Sequence, residues 1–142
     1  FDSFEYEVTM AKVSGSDNNV GIIFGDNSET CITSSYPIWC DMYLFRMYGS
    51  GNYILHYYEN GQYTELFFDP NSFGNPYPLE NTVKIVYSNG YMDIYINNVL
   101  QTSLFHNSLI PNHIAVRMYD SNGEGEGEFD DISLTPIERD YS

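Results

Sequence analysis

The chain has 142 residues, 17% of them aromatic and only 18% charged, and its 20 acidic residues against 5 Lys plus Arg give a formal net charge of −15. One domain spanning residues 1–142 fits that length and can bury a core without metal or cross-links. The charge opposes nucleic acid and anionic bilayers, and no run approaches the ~20 apolar residues of a membrane span, so calcium or a neutral ligand is the compatible partner.

The chain begins Phe1-Asp2, which reads as a mature or excised domain whose targeting signal is absent. Phe4, Tyr6, Val8 and Met10 alternate with Glu5, Glu7 and Thr9, predicting a strand over Phe4–Lys12 with one face buried. Ser14–Asn19 reads as a loop, and Val20, Ile22 and Phe24 mark a second strand over Val20–Asp26. Cys31 and Cys40 then bracket a loop holding Tyr36 and Trp39. A disulfide across so short a loop suits an exported protein; the alternative is two reduced thiols.

From Met42 to Leu100 the alternation is almost unbroken, and its interruptions are turn signals, the first two being Gly49-Ser50-Gly51-Asn52 and Asn60-Gly61. Asn and Gly tolerate the positive φ of tight hairpins, so the stretch opens with a three-strand meander ending at Tyr63–Phe68, with Leu66 and Phe68 inward. Asp69–Glu80 holds three prolines and a glycine and reads as a long crossing loop. A second meander covers Thr82–Tyr87, Tyr91–Ile96 and Val99–Ser103, joined at Asn89-Gly90 and Asn97-Asn98. Leu104–Asn112 crosses back, and His113–Asp120 and Glu128–Leu134 complete an all-β, antiparallel two-sheet sandwich.

The strings Phe4-Glu5-Tyr6-Glu7-Val8, Val20-Gly21-Ile22-Ile23-Phe24, Tyr43-Leu44-Phe45-Arg46-Met47 and Tyr53-Ile54-Leu55 before Gly61 resemble the laminin-G-like branch of the concanavalin A-like lectin/glucanase superfamily. Val83-Lys84-Ile85-Val86, Asp93-Ile94-Tyr95-Ile96-Asn97-Asn98-Val99 and Phe129-Asp130-Asp131-Ile132-Ser133-Leu134 resemble its second half in the same order. The resemblance covers essentially the whole chain. It implies a jelly-roll sandwich with a concave and a convex sheet, of the kind found as carbohydrate-binding modules beside catalytic domains in exported bacterial proteins. Extracellular or cell-surface placement follows from it, as does an oligo- or polysaccharide partner. Members that bind proteins in adhesion share the fold, so a protein partner stays open.

Alternation places Arg46, Tyr48, His56, Tyr58, Tyr63, Glu65, His113, Arg117 and Tyr119 on one outward face. Aromatic rings pack on the C–H faces of sugars, and planar charged groups bind hydroxyls in pairs, so these residues are one candidate site. A solvated sheet face with Arg–Glu pairs is the plain alternative. The rim is a second candidate, through Tyr36 and Trp39 with Phe73 and Tyr77; here the alternative is that Trp39 plugs the core.

The acidic stretch near the C-terminus has two readings. Asp120, Asn122, Asp130 and Asp131, with Asp26 and Asn27, supply the hard oxygens of a structural calcium site, or they are solvated loop and need no ion. Glucanases of this fold carry Glu-x-Asp-x-x-Glu; Glu128-Phe129-Asp130 fills two positions and Ser133 stands at the third. The carboxylate pair of glycoside hydrolysis is therefore incomplete, no other catalytic template is filled, and no cofactor is required.

Overall fold

The structure is a computed structural model that describes residues 3–14, 18–25, 41–59, 62–69, 71, 73–107, 113–120 and 126–137. Ten strands follow one another: β1 (Ser3–Ser14), β2 (Asn18–Gly25), β3 (Met42–Tyr48), β4 (Tyr53–Glu59), β5 (Gln62–Phe68), β6 (Asn81–Ser88), β7 (Tyr91–Ile96), β8 (Val99–Phe105), β9 (His113–Asp120) and β10 (Glu126–Pro136). No helix occurs among the described residues. A first sheet runs β10-β1-β6-β7-β8 and a second β5-β4-β3-β2-β9, and neighbouring strands within each sheet pair antiparallel. Each predicted meander forms one side of one sheet, and β1, β2, β9 and β10 complete the two sheets.

The turns follow their residues. Asn89 and Gly90 have φ of 47° and 91°, and Asn97 and Asn98 have 51° and 67°, so both hairpins close through two consecutive positive-φ residues. Asn97 also builds structure with its side chain, its Oδ1 accepting from Thr82 N at 2.9 Å. The β3–β4 connection closes by Tyr48 N to Asn52 O at 2.9 Å and Gly51 N to Tyr48 O at 3.0 Å. Asn60 and Gly61 lie outside the described residues.

Inner faces from both sheets make one core: Phe4, Tyr6, Val8 and Met10 with Val83, Ile85, Met92 and Ile94 from the first sheet, Ile22, Phe24, Tyr43, Phe45, Tyr53 and Leu55 from the second. Burying each such side chain contributes roughly 1.5–3 kcal/mol. Three phenols tie the sheets together at their polar ends. Tyr6 donates to Ala115 O at 3.2 Å, Tyr53 to Gln101 Oε1 at 2.9 Å, and the Tyr43 hydroxyl meets His106 Nδ1 at 2.6 Å. A buried hydroxyl without a partner would offset much of its ring's burial, so these bonds are what allow tyrosine at core positions. Burial pushes the Tyr6 phenol up to about 12.

Three sequence expectations are corrected. Phe68 points to solvent, at 41% exposure, while Leu66 and Phe67 pack on the core. A register shift between Leu55 and His56 on the β4–β5 ladder inserts one residue and moves β5 out of simple alternation. The crossing segment starts after Phe105, because Leu104 still packs inward. Finally, β2 begins at Asn18 rather than Val20.

The crossing loop is held by its own polar groups. Buried Asp69 accepts from the backbone N–H groups of Asn71 and Phe73 at 2.8 and 2.7 Å. Buried Asn81 accepts from Asn75 N at 2.7 Å and from Asn97 Nδ2 at 3.0 Å, and donates to Asn75 O at 3.0 Å. Gly74 N and Tyr77 N bond to Gly51 O and Gly49 O, docking the loop on the β3–β4 turn. Gly51, at φ 90°, faces the Gly74 carbonyl so closely that a Cβ there would overlap it.

Candidate functional site

On the second sheet the inward set leaves Asn19, Gly21 and Ile23 of β2, Leu44 and Arg46 of β3, and His56 and Tyr58 of β4 on the outer face. This face is not the open wet surface that alternation predicts. Met42, Leu44 and Tyr58 form a second buried apolar cluster with Ile23 packed against it, and His56 is only 4% exposed. Alternation assigns a side chain to a face; whether that face is covered depends on packing far away in sequence.

Within this apolar setting lies a small polar assembly. Arg46 and His56 stand diagonally on neighbouring strands, since Arg46 pairs with Ile54 and Leu44 with His56, and Arg46 Nη2 lies 2.7 Å from His56 Nδ1. A guanidinium can only donate, so Nδ1 accepts and the imidazole is neutral. Burial first, and the Arg46 charge second, lower the His56 pKa to about 4. Glu65 is directly opposite His56 on β5 and is exposed. The exposed Tyr63 ring lies 4.9 Å from the His56 ring and 5.8 Å from that of Tyr58. Arg46, His56, Tyr58, Tyr63 and Glu65 are therefore brought together: a cation, an acceptor carboxylate and an exposed aromatic plate.

Tyr48 lies further along β3, half-buried, opposite Asn19. Arg117 and Tyr119 pair in register with Gly21 and Asn19, and His113 with Gly25; their side chains lie outside the described set.

Two residues on this face escaped the sequence reading. Asn19 is 5% exposed, and its Oδ1 is buried with no hydrogen-bond partner; Arg46 Nε is in the same condition. Gly21 separates them, and a Cβ there would stand 2.6 Å from Phe45 O and 3.1 Å from the Arg46 Cβ. A glycine inside a strand and an asparagine two residues before it were the available signals, since strand-interior glycine marks a close approach.

Cys31, Cys40, Tyr36, Trp39, Asp26 and Asn27 lie outside the described residues, as does Asn122. Phe73 and Tyr77 are 43% and 42% exposed on the docked crossing loop. Asp130 and Asp131 are exposed on β10 of the first sheet, whereas Asp120 ends β9 of the second. Among the described residues no group of three or more His, Cys, Asp or Glu side chains is arranged to hold a metal ion. Glu128 and Asp130 line a cleft of about 270 Å³ with Glu80, Thr9 and Phe129. Ser133 stands opposite Glu7, beyond a register shift in the same ladder.

No protein-family model and no curated protein sequence matches the chain. Solved structures do match. The carbohydrate-binding module CBM66 from Bacillus subtilis is similar with a TM-score of 0.70 and 12% identity, covering 95% of this chain and 76% of that one. Sheep galectin-11, in complex with glycerol, has a TM-score of 0.66 and 13% identity over 94% of this chain and 90% of its own. A Bacillus licheniformis beta-glucanase has a TM-score of 0.55 and 14% identity, and the chain spans about half of its length, 54%. The fold is thus the concanavalin A-like jelly-roll sandwich, shared by lectin-like modules and glycosidases.

Proposed function

We propose that the domain is a carbohydrate-binding module without catalytic activity, and that sugar binds on the outer face of the second sheet at Arg46, His56, Tyr58, Tyr63 and Glu65. The observation that carries this reading is the Arg46–His56 pair at 2.7 Å beside the exposed Tyr63 ring. Tyr63 offers a face for a pyranose ring; Arg46 donates to ring oxygens and Glu65 accepts from hydroxyls. The similarity to CBM66 and galectin-11 supports the class of ligand. Absence of hydrolysis rests on Ser133 standing where the glucanase pattern has its third acid. An extracellular or cell-surface location, beside a catalytic domain of a parent chain, belongs to the same reading.

A glycan array on the domain, followed by calorimetric titration of the best hit against wild type and Arg46→Ala, tests it. The expected cost of the substitution is roughly 1–3 kcal/mol of binding. No array hit, or a hit whose affinity Arg46→Ala leaves unchanged, overturns the assignment.

A protein-binding, adhesive role is favoured by a different observation. On the first sheet Tyr91 and Phe105 pair in register with rings 4.8 Å apart, and they are 65% and 54% exposed, with Val99 and Leu100 exposed on the same hairpin. Exposed apolar patches of this kind mark contact surfaces. Tyr91→Ala with Phe105→Ala abolishes such binding and leaves sugar affinity intact.

A further inference from the structure

The geometry points to an acidic saccharide as the ligand of this face: we propose that a uronic acid residue presents its carboxylate to Arg46 and a neighbouring ring hydroxyl to Asn19 Oδ1, across Gly21. The inference rests on the sugar-binding reading and names the class of sugar.

Three observations carry it. First, Arg46 is half-buried on the face it shares with Leu44 and Ile23, yet its partner is a neutral imidazole, its Nε is unsatisfied, and no carboxylate among the described residues pairs with it. A guanidinium so placed holds a positive charge without compensation, which costs free energy until an anion arrives. Second, Asn19 Oδ1 is a buried acceptor without a donor on the same face. One unpaired donor and one unpaired acceptor call for a ligand with an anionic acceptor beside a hydroxyl, which is the arrangement at the acid end of a uronate ring. Third, Gly21 pairs with Arg46 on one side and Arg117 on the other. Two arginine positions thus flank a residue with no side chain, while Glu65, the acid of this face, is two strands from Arg46, about 10 Å away by strand spacing.

The formal charge of −15 favours a neutral partner at long range, but salt screens it beyond about 8 Å at physiological ionic strength, whereas contact with a half-buried guanidinium is screened far less. A single acid residue in an otherwise neutral saccharide fits both conditions. Reaching Asn19 requires neighbouring side chains to part, Tyr48 among them, since it pairs directly with Asn19.

The test is a heteronuclear NMR titration of the labelled domain with the methyl glycosides of glucuronate and galacturonate, their neutral counterparts glucose and galactose, and sodium acetate. At least one uronate is expected to shift the amides of Asn19, Gly21 and Arg46 and to bind tenfold or more tighter than its neutral counterpart. Arg46→Gln should remove that preference, and Arg46→Lys, which keeps the charge, should retain part of it. Equal binding of acidic and neutral glycosides, both weakened alike by Arg46→Gln, would leave the sugar site standing and sink the acidic class. Acetate binding as tightly as the uronate would reduce the site to a bare anion contact and overturn the proposal. If no saccharide shifts this face while the array hit maps elsewhere, the sugar-site assignment itself falls.

Discussion

Arg46 Nη2 donates to His56 Nδ1 at 2.7 Å, so the pair exists only while the imidazole is neutral. The His56 pKa is about 4, against an ordinary 6.5. Above pH 6.5 the ring is neutral both folded and unfolded, and its full contribution is present. Between pH 6.5 and 4 the unfolded chain takes up a proton that the folded one refuses, so stability is lost as pH falls and levels off below about 4. The loss is at most about 3 kcal/mol. His106, also held below its usual value by burial, adds a loss of the same sign. Urea unfolding of wild type and His56→Gln at pH 7.5, 5.5 and 4.5 isolates the His56 share. Parallel pH profiles for the two proteins would contradict the assignment.

Phe67 and Phe68 should respond in opposite ways to truncation. Phe67 packs on the core with its ring 5.8 Å from that of Tyr53, while Phe68 is 41% exposed. Phe67→Ala should cost about 2–4 kcal/mol and Phe68→Ala under about 1 kcal/mol. Reversal of that order in denaturant melts would restore simple alternation along β5 and remove the bulge.

Asn97→Ala removes two things at once. Its φ of 51° disfavours a Cβ-bearing residue without a local hydrogen bond, and its side chain serves Thr82 N and Asn81 Oδ1. A loss of roughly 2–3 kcal/mol is expected. Asn97→Gly, which relieves the φ cost, should recover part of it. Thermal unfolding of the three proteins checks the ranking; a glycine variant less stable than the alanine one would refute the backbone argument.

Gly51→Ala should loosen the crossing loop as well as destabilise the fold, because its Cβ would meet the Gly74 carbonyl that the docked loop places there. Hydrogen exchange at Gly74 N and Tyr77 N, which bond to Gly51 O and Gly49 O, is the specific readout. Unchanged protection at both amides would show that the loop does not depend on this approach.

Tyr53→Phe leaves Gln101 Oε1 without the donor it has at 2.9 Å and cuts one tie between the sheets. A cost of about 1 kcal/mol follows. It should appear in chemical denaturation with no change in the slope, since the ring and its burial remain. A neutral result would mean that water replaces the hydroxyl.

Much of the fold was legible in the chain because its causes are local. Period-two alternation needs only neighbouring residues to place Phe4, Tyr6, Val8 and Met10 on one face, and Asn97-Asn98 closes its hairpin through its own backbone preferences. The same local rule put Arg46 and His56 on one side and Glu65 on the next strand. The tertiary structure decided what that side amounts to. Glu65 stands opposite His56 in the register of the hairpin itself, and the bulge just beyond it shifted β5 by a residue, so that Phe67 rather than Leu66 is opposite Leu55. Long-range packing buried His56, Leu44 and Asn19, whose sequence neighbours carry no sign of it. An unpaired charge or acceptor exists only relative to groups distant in the chain, so Arg46 Nε and Asn19 Oδ1 became visible once β2 and β3 lay side by side.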